Sequence, residues 1–180
     1  VVIGNKIDNN EGDPERVYLN LGVPPYLEGI SPIDITTDRS PTFDIKVADL
    51  NNDGFPDVVV SGSSFLTKYY LNDGNTGADN NPFSTPVAGV QVSSGLNFYN
   101  DGLDLGDVNN DGWVDIVTTG VGTNTNRAYL NAQSATVPFD ATTTSNIIST
   151  DSESGRNIEL ADMDDDGDLD VIVAYTRARD

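Results

Sequence analysis

Cysteine and histidine are both absent from this chain of 180 residues, and bases are scarce. Without cysteine there is neither a disulfide framework nor a thiolate metal site. Without histidine the chain lacks the commonest general base and the commonest transition-metal ligand. Nine Lys and Arg stand against 29 Asp and Glu, a formal net charge of −20. That balance excludes a nucleic-acid phosphate backbone and an anionic membrane surface as natural partners. No apolar run reaches the about eighteen residues of a membrane helix, so no membrane insertion is expected. No basic-then-apolar leader is present, and the chain opens inside the apolar run Val1-Val2-Ile3, as a segment of something longer would. No stretch sustains a helical period beyond about two turns. The apolar fraction of 37% is low but sufficient for a packed core.

What the chain has in excess is carboxylate, and it is patterned. Asp49-Leu-Asn-Asn-Asp-Gly-Phe-Pro-Asp57, Asp107-Val-Asn-Asn-Asp-Gly-Trp-Val-Asp115 and Asp162-Met-Asp-Asp-Asp-Gly-Asp-Leu-Asp170 share one nine-residue design, and successive copies start 58 and 55 residues apart. A period of this size signals repeat architecture. Alternating apolar residues precede each loop (Ile45 and Val47, Leu103 and Leu105, Ile158 and Leu160), then a small residue, Ala48, Gly106 or Ala161. A β-branched run follows each loop: Val58-Val59-Val60, Ile116-Val117-Thr118 and Val171-Ile172-Val173. Both features read as strands, and Val1-Val2-Ile3-Gly4 matches the runs after the loops.

A third repeated strand carries a base two positions before Tyr-Leu-Asn: Arg16 before Tyr18-Leu19-Asn20, Lys68 before Tyr70-Leu71-Asn72, and Arg127 before Tyr129-Leu130-Asn131. Its regularity predicts a structural base that covers an apolar edge and pairs with a carboxylate. A weaker fourth strand is expected in Val87 to Val92 and at Ile147-Ile148. Short strands in groups of about four predict an all-β fold of β-propeller blades, each a four-stranded antiparallel sheet. The units are Val1–Asp57, Val58–Asp115, Ile116–Asp170 and the start of a fourth from Val171, in a single repeat region over 1–180. Three repeats and a fragment are too few for a closed propeller of about four to eight blades, so further blades outside the chain or self-association are expected.

The loops have the chemistry of a calcium site. Calcium takes oxygen ligands in a roomy shell, and side-chain oxygens recur at positions one, three, five and nine. The expected ligands are Asp49, Asn51, Asp53, Asp57 and the carbonyl of Phe55; Asp107, Asn109, Asp111, Asp115 and the carbonyl of Trp113; and Asp162, Asp164, Asp166, Asp170 and the carbonyl of Asp168. Gly at position six (Gly54, Gly112, Gly167) lets the backbone turn around an ion. About three Ca2+ ions are therefore expected. An EF-hand is excluded, because its twelfth position needs Glu and here holds Val60, Thr118 or Val173, with strands in place of helices. Magnesium demands a tighter octahedron, and solvated turns without an ion would not need the same four ligand positions three times.

These residues resemble the FG-GAP/VCBS repeat family, related to the calcium-bearing propeller blades of integrin α-subunits. Leu105-Gly-Asp-Val-Asn-Asn-Asp-Gly-Trp-Val-Asp-Ile-Val-Thr-Thr-Gly120 and Leu160-Ala-Asp-Met-Asp-Asp-Asp-Gly-Asp-Leu-Asp-Val-Ile-Val-Ala174 carry the likeness, with the Tyr-Leu-Asn strand as the next segment. The resemblance implies that each loop joins the first two strands of a blade and that calcium is a structural ion. The Phe-Gly pair that names the repeat is absent, with Phe43-Asp44 the nearest trace, and Ala174-Tyr175 stands where a Gly is expected.

The resulting expectation is a calcium-stabilised binding or adhesion module, extracellular or at the cell surface, with a protein or glycan ligand. Extracellular calcium modules bind at about 10⁻⁴ to 10⁻³ M, so such sites fill outside the cell. A carbohydrate-binding propeller is one alternative, by analogy with lectins of similar blades, and would use aromatics such as Phe65, Phe98, Tyr99 and Trp113. A structural subunit of a surface fibre is the other. An enzyme is not expected, because the best carboxylate clusters are accounted for as calcium shells.

Overall fold

The computed structural model describes residues 2–3, 14–20, 22–26, 28–39, 41–62, 67–74, 81–83, 89–92, 101–120, 125–140, 142–149 and 154–176. Gly4, Phe65, Val87, Phe98 and Tyr99 lie outside the described residues.

The described chain is all-β, in four sheets of consecutive antiparallel strands. The first sheet is β1 (Val2–Ile3), β2 (Arg16–Val17) and β3 (Ile33–Asp34). The second is β4 (Thr42–Ala48), β5 (Asp57–Gly62), β6 (Lys68–Tyr70) and β7 (Val90–Gln91). The third is β8 (Leu103–Gly106), β9 (Asp115–Thr118), β10 (Asn126–Tyr129) and β11 (Ser145–Ser149), and the last is the hairpin β12 (Ser154–Ala161) and β13 (Asp170–Thr176). The weak fourth strands are thus β7 and β11. Each acidic loop lies within a sheet, between its first and second strands, so divisions at Asp57, Asp115 and Asp170 fall inside hairpins. No closed barrel forms from these sheets.

Stacking of the sheets explains the strand compositions. Val58 and Val60 pack with Val17, Ile35, Tyr70 and Phe83, whereas Val59 packs with Tyr69, Leu103, Ile116, Tyr129 and Phe139. β5 is therefore covered on both faces and reads as an unbroken apolar run rather than an alternating one. A third cluster joins Val117 and Ala128 to Ile158, Val171 and Val173. β13 has the same kind of sequence as β5, yet its residues alternate in exposure because one face is uncovered.

The first strands β4, β8 and β12 lie side by side from sheet to sheet. The Leu103 amide donates to Asp44 (3.0 Å) and the Leu160 amide donates to Asp104 (2.7 Å). Lys46 bridges Asp104 at 3.2 Å and Glu159 at 3.7 Å, so three strands share one ion cluster. A Cβ at Gly102 would stand 2.8 Å from the Asn157 backbone, which explains the missing side chain at that crossing. Phe43 and Arg156 each sit in a register shift, at the same distance before their loops.

The repeated base binds an acceptor on a neighbouring strand or, for Lys68, on the connection between β3 and β4. Arg16 pairs with Asp34 at 2.8 Å, Lys68 with Asp38 at 3.0 Å, and Arg127 donates to Ser145 at 2.6 Å.

Candidate metal centre

The three loops fold alike. The carboxylate at position one accepts the amides of positions five and six: Asp49 from Asp53 (3.1 Å) and Gly54 (2.8 Å), Asp107 from Asp111 (3.0 Å) and Gly112 (2.7 Å), and Asp162 from Asp166 (3.1 Å) and Gly167 (2.9 Å). The carboxylate at position five accepts the amide of position seven, from Phe55, Trp113 and Asp168. These bonds curl the main chain around the first five residues. The curl needs left-handed backbone at position four (Asn52, Asn110, Asp165, φ 55 to 64°) and position six (Gly54, Gly112, Gly167, φ 87 to 94°). A Cβ on those glycines would meet nothing within 4 Å, so glycine is there for its torsion angle and not for space.

In the first two loops the position-three amide closes the ring. Asn51 and Asn109 each donate to the position-five carboxylate at 2.9 Å, while their carbonyl oxygens accept its backbone amide. The third loop has Asp164 in that place. The carboxylates of Asp162, Asp164 and Asp166 bring oxygens within 4.8 Å of one another, all on exposed residues. This is the one such group of three acids among the described residues; Asp170 does not join it, and the first two loops have Asn51 and Asn109 where the third has Asp164.

Position nine sits apart from the curl. Asp57 and Asp115 are wholly buried. One oxygen of each accepts the position-two amide, Leu50 at 2.8 Å and Val108 at 3.1 Å, and the other accepts the Asn amide of the third strand, Asn72 or Asn131, at 2.8 Å. Burial pushes both carboxyls up to about 6, the loop carboxylates Asp53 and Asp49, or Asp111 and Asp107, push the same way, and the amide bonds oppose. Each oxygen retains a second lone pair that could face an ion. Asp170 accepts Met163 N at 2.9 Å but remains exposed, since no third strand lies against β13 among the described residues.

Neighbouring loops are tied together by residues whose role the sequence motif did not reveal. Asn52 donates to the Gly112 carbonyl (3.3 Å) and Asn110 to Asp168 (2.5 Å), so position four of one loop reaches the next. Asn131 donates to the carbonyls of Leu50 (2.8 Å) and Val114 (3.0 Å), spanning two loops. Gln133 donates to Asp111 at 3.0 Å, and that bond is the main reason the Asp111 carboxyl lies below its ordinary range. The signal for Asn131 was the recurring Tyr-Leu-Asn triplet; nothing local distinguishes Asn52 and Asn110 from ordinary turn residues. Trp113 is half-buried within its loop.

The sheets and loops define a class: an all-β repeat protein whose hairpins carry acidic, oxygen-donor loops. Residues 107–173 match the model of the FG-GAP-like repeat family, so the chain carries an FG-GAP-like repeat that spans the second and third loops. No curated protein matches the chain. Among the described residues no helix is long and apolar enough to cross a membrane.

Proposed function

We propose that this protein is a calcium-stabilised extracellular repeat module with a binding, adhesive or architectural role rather than an enzyme. One observation carries the reading: three loops in the same conformation, each first strand to second strand, with the third crowding Asp162, Asp164 and Asp166 together. Three carboxylates so close repel one another, and a hard divalent cation is the counter-charge that suits an all-oxygen set. Asp49, Asn51, Asp53 and Asp57 would hold one ion, Asp107, Asn109, Asp111 and Asp115 a second, and Asp162, Asp164, Asp166 and Asp170 a third. The carbonyls of Phe55, Trp113 and Asp168 complete the sets. Position nine would serve twice, as a ligand and as the pin to the third strand. Three divalent ions would take the net charge from −20 to −14, which still keeps the surface soluble.

An ion at a hundredfold over its dissociation constant adds about 2.7 kcal/mol to folding. Weak extracellular sites of this kind make the fold conditional on compartment. The experiment is thermal unfolding in calcium, in magnesium and in a chelator. A midpoint that falls sharply in chelator and recovers with calcium is expected; equal midpoints would sink the metal reading.

A further inference from the structure

We infer that Phe43, Asp101 and Arg156 form a carbohydrate site that takes one neutral pyranose ring. The site supplies a ligand for the binding role proposed above, so it rests on that reading, though not on its calcium.

Equivalent positions in three consecutive repeats converge there. Phe43, Asp101 and Arg156 are each the sixth residue before the first Asp of a loop, and together they line one hollow of about 300 Å³. An extra residue in the strand turns two of them toward it. Thr42 pairs with Gly62 and Asp44 with Ser61, which leaves Phe43 without a cross-strand partner. Gly155 pairs with Tyr175 and Asn157 with Ala174, which does the same for Arg156. Strict alternation would put Phe43 on the face of Ile45 and Arg156 on the face of the buried Ile158; the bulges take both off that face, and both are exposed. The third member is brought up by a glycine. A Cβ at Gly102 would stand 2.8 Å from the Asn157 backbone and 3.1 Å from the Arg156 carbonyl oxygen, so its absence lets β12 approach until Arg156 reaches Asp101.

The polar groups are held but not used up. Arg156 Nη1 donates to Asp101, and its Nε donates to the Thr176 hydroxyl at 3.1 Å. The Asp101 side chain is 14% exposed and that of Arg156 53%, so the acceptor is fixed and the outer edge of the guanidinium is open. Two of its five N–H groups are engaged, which leaves three for a ligand among the described residues. The equivalent set three residues nearer the loops behaves differently: Lys46 lies between Asp104 and Glu159 and closes that cluster on itself. At the outer position one base meets one acid, and the third member is an aromatic ring.

That combination selects the ligand. A carboxylate or phosphate on Arg156 would also face Asp101 and a chain of net charge −20, and an ammonium on Asp101 would face Arg156. A pair of neighbouring hydroxyls satisfies both groups, because a hydroxyl accepts from the guanidinium and donates to the carboxylate. Phe43 supplies an apolar surface for the C–H face of a pyranose, so the hollow joins apolar cover to a few fixed polar groups as small-molecule sites do. Its volume lies at the low end of the about 300–1,000 Å³ of such sites, which suits one ring rather than a chain. Phe43 and Asp49 are six residues apart, about 20 Å of strand, so sugar and cation bind at opposite ends of β4.

The test is saturation-transfer NMR and calorimetry on the full chain, in calcium and in chelator. The probes are the methyl pyranosides of glucose, galactose, mannose, fucose, xylose and N-acetylglucosamine. At least one is expected to bind with a millimolar Kd and to receive saturation at its ring C–H protons. Phe43→Ala and Arg156→Gln should each weaken it by about tenfold or more, Phe43→Tyr should retain it, and Ile147→Ala on the outer strand β11 should bind as the parent does. Melting of each variant separates lost binding from lost fold, and Phe43→Tyr keeps the ring in place should Phe43→Ala melt early. Silence across the panel, binding unaffected by Phe43→Ala in a folded variant, or binding of acetate or glycylglycine where no pyranoside binds would overturn the inference. A pyranoside bound by a chain whose midpoint ignores chelator would tell against the calcium reading alone; a chelator-sensitive chain that binds no pyranoside would tell against this site alone.

Discussion

The three Asn residues of the Tyr-Leu-Asn triplets should differ sharply when replaced by Ala, although the sequence presents them as equivalents. Asn131 is buried and donates to the carbonyls of Leu50 and Val114, and its own oxygen accepts the Gln133 amide. Asn131→Ala leaves its main-chain bond to Asp115 in place and strips three side-chain bonds. Each net bond is worth about 0.5–1.5 kcal/mol, and a buried carbonyl left without a donor costs about 1–3 kcal/mol, so the loss should be about 3–4 kcal/mol. Asn72 has one carbonyl partner, that of the exposed Pro56, and the turn bond to Gly74, so its loss should be about 2 kcal/mol, two net bonds and no stranded buried carbonyl. Asn20 is exposed, and among the described residues its side chain makes the turn bond alone, so its replacement should stay within about 0.5 kcal/mol. For a chain of this size about 2–4 °C of midpoint corresponds to each kcal/mol, so Asn131→Ala should melt about 10 °C below the parent. Urea unfolding of the three variants supplies the check. Equal losses at the three positions, or the largest at Asn20, would refute the claim that Asn131 bridges two loops.

Further outcomes concern charge and backbone. Glu15 is buried, its Oε1 accepts the Thr42 hydroxyl, its Oε2 meets no donor among the described residues, and burial pushes its carboxyl up. The folded state then holds that proton more tightly than the unfolded chain, so the Glu15 contribution to stability falls as pH rises through the folded pKa. Glu15→Gln should therefore raise the midpoint near pH 7 and lose that advantage near pH 4, in the range where a carboxyl protonates in both states; a lower midpoint near pH 7 would contradict the sign. Asp164→Asn gives the third loop the donor set of the other two and removes one charge from an exposed site. Calcium titration should show about a tenfold weaker third site, about 1.4 kcal/mol, and unchanged affinity would count against the charge argument. Gly112→Ala adds a methyl to open space at φ 87°, so its cost should be pure backbone strain of about 1–2 kcal/mol, with no change in calcium stoichiometry; a neutral midpoint would show that the loop reaches its curl another way.

Much of the fold was legible because the information was local and repeated. The nine-residue loop, the β-branched run after it and the base-x-Tyr-Leu-Asn strand each announce themselves three times. Alternation before the loop corresponds to a first strand, and the unbroken run after it to a second strand, buried on both faces in β5 and β9. Less legible was what each residue touches. Position nine reads as a ligand by spacing, and the fold also gives it a second task, because it carries the third strand's amide onto the same carboxylate. Asn52 and Asn110 read as turn residues, and become bridges because the next loop happens to stand within reach of their side chains.

The sequence by itself determined the strand order within a sheet and the curl of the loops, since these follow from torsion preference and side-chain period over a few residues. Tertiary structure alone decided which equivalent residues are equivalent in fact. Asp57 and Asp115 are buried while Asp170 is exposed, Leu50 is covered while Met163 is open, and Asn131 is buried with bonds to two loops while Asn20 is exposed and, among the described residues, holds one turn bond. Burial and the partners it brings depend on the neighbouring sheet, which lies some 50 to 60 residues away in the chain and is invisible to any local motif.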